Sequence, residues 1–271
     1  YCKIKIGFVI SSEIKDILYI KKQSNEKNLE NDNTVFKYLL RGWTDDTNQT
    51  FYKNILSFPA GSYGEVNSRE IKIKKYWNLK IGGNKIFNSE VFKNKISNII
   101  KEHTHAETKS ISLTLSGGID SSAIARELSQ IKDIKFKAFS IKFRDNNSDE
   151  ANKINTFVKE NKINHEFCHV EKSYNSELLS QVIDAHDEPI KDMSFINQFI
   201  LRKFIHKNGY KVVITGEGAD EALAGYQRML IPFLYEKFIN KNIDNSEAFK
   251  NYIKKYTKYD SDYYLKKIKN L

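Results

Sequence analysis

Two cysteines, Cys2 and Cys168, are all the thiol chemistry in 271 residues. So few give neither a disulfide framework nor a metal-ligand spacing, and a reducing cytoplasm is the expected compartment. Long apolar runs are scarce as well. Stretches such as "IPFLY" fall far short of the roughly 18 residues that mark a membrane span, so no membrane partner is expected. No secretory or transit segment opens the chain. It begins with Tyr1 and is expected to be a piece of something longer. Acidic residues are the scarcer charge, 34 against 44 Lys and Arg, for a formal net charge of +10. Excess cation can mark a nucleic-acid partner. Here the lysines are scattered among Asn, Ile and Glu without a basic stripe or interleaved aromatics. A compositional bias accounts for them, and nucleic acid is not expected as a partner. Low-complexity tracts and internal repeats are missing too.

What is present reads as a globular α/β protein, with 40% hydrophobic and 29% charged residues. Residues 1–79 are mixed. "YCKIKIGFVIS" alternates like a strand pair turning near Gly7, "NTVFKYLLRG" is a helix closed by Gly42, and "NSREIKIKKYWNL" alternates again. The paired glycines of "KIGGNK", 80–85, mark the expected domain boundary. Beyond it, "NSEVFKNKISNIIKEH" carries Phe92, Ile96, Ile99 and Ile100 on one helical face, with Asn88 or Ser89 as cap. Strand and helix then alternate: "SISLTL", "SSAIARELSQI", "FKAFSIKF", "SDEANKINTFVKEN", "HEFCHV", two helical segments, then "KVVIT". From 219 onward the chain reads as helical. Such alternation predicts a parallel sheet with helices on both faces.

Two turns in that pattern carry chemistry. In an open parallel sheet, ligands sit at the carboxyl ends of strands. After "SISLTL" comes Ser116-Gly117-Gly118-Ile119-Asp120-Ser121. Its glycines admit a phosphate close to the backbone, and the helix beginning near Ser121 offers free N–H groups. Ser116, Ser121 and Ser122 add hydroxyls. Asp120 would repel phosphates unless it holds a bridging cation. The turn thus suggests a magnesium–phosphate site that lacks the P-loop lysine, although an ordinary serine-capped turn would look similar. The second stretch, "KVVITGEGADEALAGY", repeats the strand–turn–helix form at 211–226 and places Glu217, Asp220 and Glu221 on its turn. Four acids on two such turns, Asp120 included, suit a metal–nucleotide site with an acid to spare.

These residues resemble the glutamine-dependent asparagine synthetase B family. Its S-G-G-x-D-S loop stands here as Ser116 to Ser121, and its G-E-G-A-D-E…G-Y signature as Gly216 to Glu221 with Gly225-Tyr226. "DEPIKDMSFI" at 187–196, "SDE" at 148–150 and His165 fall in family order. Upstream, "SSEIK", "FYKNILSFPAGSYGEV" and "KIKKYWNL" are similar to the end of its glutaminase domain. The resemblance implies residues 1–79 as the C-terminal remnant of a class II glutaminase-type α+β domain. It implies 80–271 as an ATP-pyrophosphatase domain, adenine nucleotide α-hydrolase-like, and incomplete at its C-terminus. The reaction implied is conversion of aspartate to asparagine through a β-aspartyl-AMP intermediate, with ATP and Mg and with ammonia from glutamine. A homodimer of the full-length protein is compatible with it. Ser116, Gly117, Gly118 and Ser121 would bind pyrophosphate, with Leu115 and Ile141 flanking the adenine. Thr215 and Gly216 would contact the nucleotide, Asp120 and Asp220 would hold magnesium, and Glu217 would serve formation of the adenylate.

The family's glutaminase nucleophile is an N-terminal cysteine. Cys2 is not expected to be it, because Cys2 lies only a few residues before "SSEIK", near the end of that domain. Cys168 is expected to be packing in an apolar strand. After Tyr226 the family's E-x-R-x-P-F-L-D segment has only an echo in "IPFLYEKF". Rival readings are another amide-forming synthetase of the same fold, of the β-lactam synthetase or lasso-peptide cyclase type, a tRNA-modifying enzyme, and an inactive ATP-binding fragment.

Overall fold

The structure, a computed structural model, describes residues 1–67, 69–80, 88–104, 111–131, 134–143, 149–171, 174–236, 247–257 and 260–269. The glycine pair of "KIGGNK", Ser110 and Ser148 lie outside those residues. The chain divides into two compact units: Tyr1–Asn94 with Phe143–Asn146 and His169–Phe204, and Lys95–Lys142 with Asn147–Cys168 and Ile205–Leu271.

In the first unit, β1 (Cys2–Ile4) and β2 (Gly7–Val9) pair antiparallel, as their alternation requires. Helix α1 (Ile14–Gln23) sets Ile17 into a small core with Cys2, Ile4, Val9 and Ile55. Helix α2 (Asp32–Arg41) stops at Gly42, whose φ of 66° is the left-handed cap that glycine adopts readily. A second antiparallel hairpin joins β3 (Ser62–Val66) to β4 (Ile71–Lys75). Helix α6 (Ser176–His186) starts where Asn175 accepts the Leu178 N–H at 2.8 Å. The segment after it is tied to the earlier chain of the same unit. Phe51 N–H donates to Glu188, Tyr38 hydroxyl donates to Ile190 O at 2.7 Å, and Lys15 pairs with Asp187 at 3.3 Å.

The second unit is built on four strands in the order β7–β6–β5–β8: β5 (Ile111–Thr114), β6 (Phe136–Phe143), β7 (His165–Val170) and β8 (Val212–Ile214). Both pairings of β5 are parallel, Leu113 opposite Ala138 on one side and Ile214 on the other. Helices flank this sheet, as the alternating pattern predicts. Helices α3 (Ser89–Thr104), α4 (Ile119–Gln130) and α5 (Asp149–Glu160) cover it with the stripes the helical period demands. Ile96 and Ile100, Ala125 and Leu128, and Ile154 and Val158 meet Leu113, Leu115 and Ala138 in one core. Asn88 caps α3, accepting the N–H groups of Glu90 and Val91. Ile99, at the edge of the Ile96–Ile100 face, is exposed. Among the described residues, no helix is long and apolar enough to cross a membrane. Helix α7 (Ser194–Lys207) precedes β8; α8 (Ala219–Leu223), α9 (Gln227–Leu234), α10 (Glu247–Tyr256) and α11 (Ser261–Lys269) follow it. The last three share a core of Leu234, Phe249, Ile253 and Tyr264.

Strand order positions the site. The chain runs from β5 outward through β6 to β7, then returns to the opposite side of β5 as β8. The order reverses between β5 and β8, which is where an open sheet leaves a crevice at its strand ends.

Candidate functional site

Both glycine turns open from that point, one after β5 and one after β8. Leu115 extends the β5 ladder by one residue, its N–H donating to Phe139 O at 2.8 Å. Helix α4 begins at Ile119, two residues ahead of expectation, so Asp120 already lies in its first turn and Gly118 is its cap. Gly117, at φ 76°, takes a backbone shape that side-chain-bearing residues avoid. A Cβ there would also press on Ile154 at 3.1 Å.

The turn is tied by its own hydroxyls. Gly118 N–H donates to Ser116 Oγ at 3.3 Å, Ser116 Oγ lies 3.0 Å from Ser121 Oγ, and Ser121 Oγ donates to Gly118 O at 3.3 Å. Ser116 N–H also donates to Ser121 Oγ, at 3.2 Å. Ser121 is buried and organises the turn, whereas Ser116, Gly117 and Gly118 are exposed and face solvent. Leu115 is buried as a whole residue, its N–H held by Phe139 and its carbonyl by Ser140, so it lies beneath the turn; Ile141 is half-buried in β6.

The second turn meets the first. A Cβ built on Gly216 would lie 3.2 Å from both Asp120 Cβ and the Ser121 nitrogen. The absent side chain is what lets the turns touch. Thr215 Oγ1 accepts the Glu217 N–H at 3.3 Å, and Gly218 closes the turn at φ 87°. Glu217 is exposed and Asp220 half-buried. Tyr226 donates to Glu221 at 2.8 Å, which lowers the Glu221 pKa. The reason for Gly225 is visible only in the structure: a Cβ there would collide with Asp220 Oδ1. The Asp220 carboxylate therefore lies directly over Gly225.

Among the described residues no three His, Cys, Asp or Glu side chains gather as a metal cage. Magnesium is usually held by one or two carboxylates together with substrate phosphates, and so does not require such a cage.

A family model described as "Asparagine synthase" matches residues 92–264, more than half of the chain. The chain belongs to the asparagine synthase family. Three curated proteins are similar to it. A candidate glutamine-hydrolysing asparagine synthetase 2 of Methanocaldococcus jannaschii is 28% identical over 82% of this chain and 44% of its own length. Amidase chyE of Penicillium rubens is 28% identical over 69% of this chain and 31% of its own. The glutamine-hydrolysing asparagine synthetase 2 of Bacillus subtilis is 26% identical over 86% and 33%. This asparagine synthase family chain thus spans less than half the length of these relatives.

Asp187 and Glu188 of "DEP" sit in the first unit, with Lys15 and the Phe51 N–H as partners. Burial raises the pKa of Glu188. Cys2 and Cys168 are buried, and burial raises both thiol pKa values, the opposite of an activated nucleophile. Ser140, buried in β6, is not among the residues the sequence singles out. Its one signal is a lone hydroxyl among the aromatic and aliphatic residues of "FKAFSIKF", since a buried polar group must find partners.

Proposed function

We propose that the two turns form one Mg-ATP site and that the full-length protein uses it to make asparagine from aspartate. The observation that supports this best is the contact of Gly216 with Asp120 and Ser121, which joins the two turns at the ends of adjacent parallel strands. A ligand seated there meets exposed turn N–H groups and the Ser116 hydroxyl on one side and acids on the other. In this reading, Ser116, Gly117 and Gly118 hold the β- and γ-phosphates, with Ser121 keeping the turn in shape. Thr215 and Gly216 meet the nucleotide by their backbone, and Ile141 flanks the base, with Leu115 buried beneath the turn. Asp120 and Asp220 would hold magnesium, which supplies neutralisation of phosphate charge.

The aspartate side-chain carboxylate then attacks the α-phosphorus. The bond to the bridging oxygen breaks and pyrophosphate leaves into the turn. Two anions meet in that step, so alignment and charge neutralisation are the main contributions asked of the protein. Ammonia next attacks the activated carbonyl and displaces AMP. Glu217 is the acid assigned to orienting these reactants or accepting a proton. Residues 1–79 are read as the tail of a glutaminase-type domain that would supply ammonia from glutamine.

The test is exchange of labelled pyrophosphate into ATP by the full-length protein. Exchange that needs both aspartate and magnesium is expected. Exchange with some other carboxylate but not with aspartate would favour amide formation on a different acid by the same fold. No exchange with any carboxylate by a folded, ATP-binding protein would refute both.

A further inference from the structure

Ser140 lies in β6 beside the strand that carries the first turn, and it is 2% exposed. Its partners sit on the two neighbouring strands. Toward β5, its hydroxyl donates to the Leu115 carbonyl oxygen. Toward β7, it lies 2.8 Å from His165 Nε2. A carbonyl oxygen can only accept, so the single hydroxyl proton is committed to Leu115. Ser140 can then only accept from the imidazole, which places the ring hydrogen on Nε2. The hydrogen bonds run one way, from His165 through Ser140 to Leu115, an arrangement in which each bond strengthens the next. The ring is steadied by an edge contact with Phe167, centroids 4.5 Å apart at 87°. Burial also lowers the pKa of His165, which favours the neutral ring.

The far end of the chain is the functional one. The Leu115 carbonyl and the Ser116 N–H belong to a single planar peptide unit. Anchoring the carbonyl fixes the direction of the N–H, and that N–H donates to Ser121 Oγ inside the phosphate turn. We propose that His165 is a positioning residue for the phosphate turn, acting through Ser140 on the Leu115–Ser116 peptide plane. The ligand named here, pyrophosphate, rests on the function proposed above; the positioning itself does not.

The experiment uses the full-length protein and two readouts. One is hydrogen exchange of the Ser116 amide without ligand. The other is affinity for Mg-pyrophosphate by calorimetry. His165→Phe keeps the ring and removes the donor; Ser140→Ala removes the link; His165→Gln restores an N–H donor. Ser116 exchange should speed up about tenfold in His165→Phe and in Ser140→Ala, the scale of one hydrogen bond. Pyrophosphate affinity should fall with it, and His165→Gln should recover most of both. The double variant should be no worse than Ser140→Ala alone, because the two residues act in series. Unchanged Ser116 exchange in His165→Phe overturns the proposal. So do losses that add in the double variant. Should His165→Phe fail to fold, Ser140→Ala and His165→Gln decide the question by the same readouts. If the exchange responds as expected but no protein binds Mg-pyrophosphate, the positioning stands and the proposed function fails.

Discussion

Gly216→Ala tests whether the two turns act as one site. The added methyl carbon would meet Asp120 Cβ and the Ser121 nitrogen at 3.2 Å. Comfortable carbon contacts begin near 3.5 Å, so the turns must part by about 0.3 Å. Neither neighbour is the tip of a flexible side chain. One is backbone in the first turn of α4, the other is anchored directly to it. Overpacking of this kind costs about 1–3 kcal/mol, and so small a shift belongs at the lower end. Near 1 kcal/mol the melting temperature falls by roughly 2–4 °C in a chain of this size. The effect on chemistry should be out of proportion. A misplacement of about 1 Å costs roughly a hundredfold, so 0.3 Å scaled logarithmically gives about fourfold in pyrophosphate release. Thermal unfolding and single-turnover pyrophosphate release by the full-length protein measure the two effects. A lower melting temperature with unchanged release would refute the reasoning, because the turns would then have parted without any shared ligand noticing.

Three further outcomes are expected. Gly225→Ala drives a methyl group into Asp220, so the carboxylate must rotate away; the magnesium concentration needed for half-maximal ATP binding should rise, and an unchanged requirement would remove Asp220 from the metal. Glu217→Gln keeps shape and removes charge. Mg-ATP binding should stay within a few-fold while amide formation falls by roughly a hundredfold, and loss of ATP binding instead would make Glu217 a nucleotide or metal ligand. Glu188 has its pKa raised by burial, so its ionisation opposes folding. The associated stability is present at acid pH and is lost as pH rises through the folded-state pKa. Glu188→Gln should therefore raise the melting temperature at pH 7 and lose that advantage near pH 4. A constant difference across that range would show that the carboxylate does not titrate in the fold.

The repeating units were legible because they follow local rules. Strand β6 could be read residue for residue from "FKAFSIKF", and Gly42 and Asn88 signalled the ends of α2 and α3 by conformation and hydrogen bonding. The two glycine turns could be named from sequence, and their spacing after strands implied that both open toward the same edge. That Gly216 touches Asp120 could not be read, because it depends on β8 pairing with β5 and not with β6 or β7. The same holds for Ser140 and Gly225. Each answers to a partner on another element, and nothing in the local pattern identifies that partner. The clustering of "DEP" with residues 1–94 is a tertiary fact of the same kind.

Strand order also fixes when the site can come into being. The hydrogen bond from Ser140 to Leu115 closes 25 residues, while that from Ser112 to Val212, in the β5–β8 seam, closes 100. A fourfold longer loop adds about 1.2 kcal/mol of closure entropy. It also requires the later strand to have been synthesised. A nascent chain that has emerged only as far as α7 can already pair β5 with β6 and shape the first turn, but Gly216 and the second set of acids do not yet exist. During that interval the β5 edge is an open hydrogen-bonding template, the kind of surface that pairs with the wrong chain. Substitutions that slow closure of the β5–β8 seam should therefore lower the yield of soluble protein even where the finished fold tolerates them.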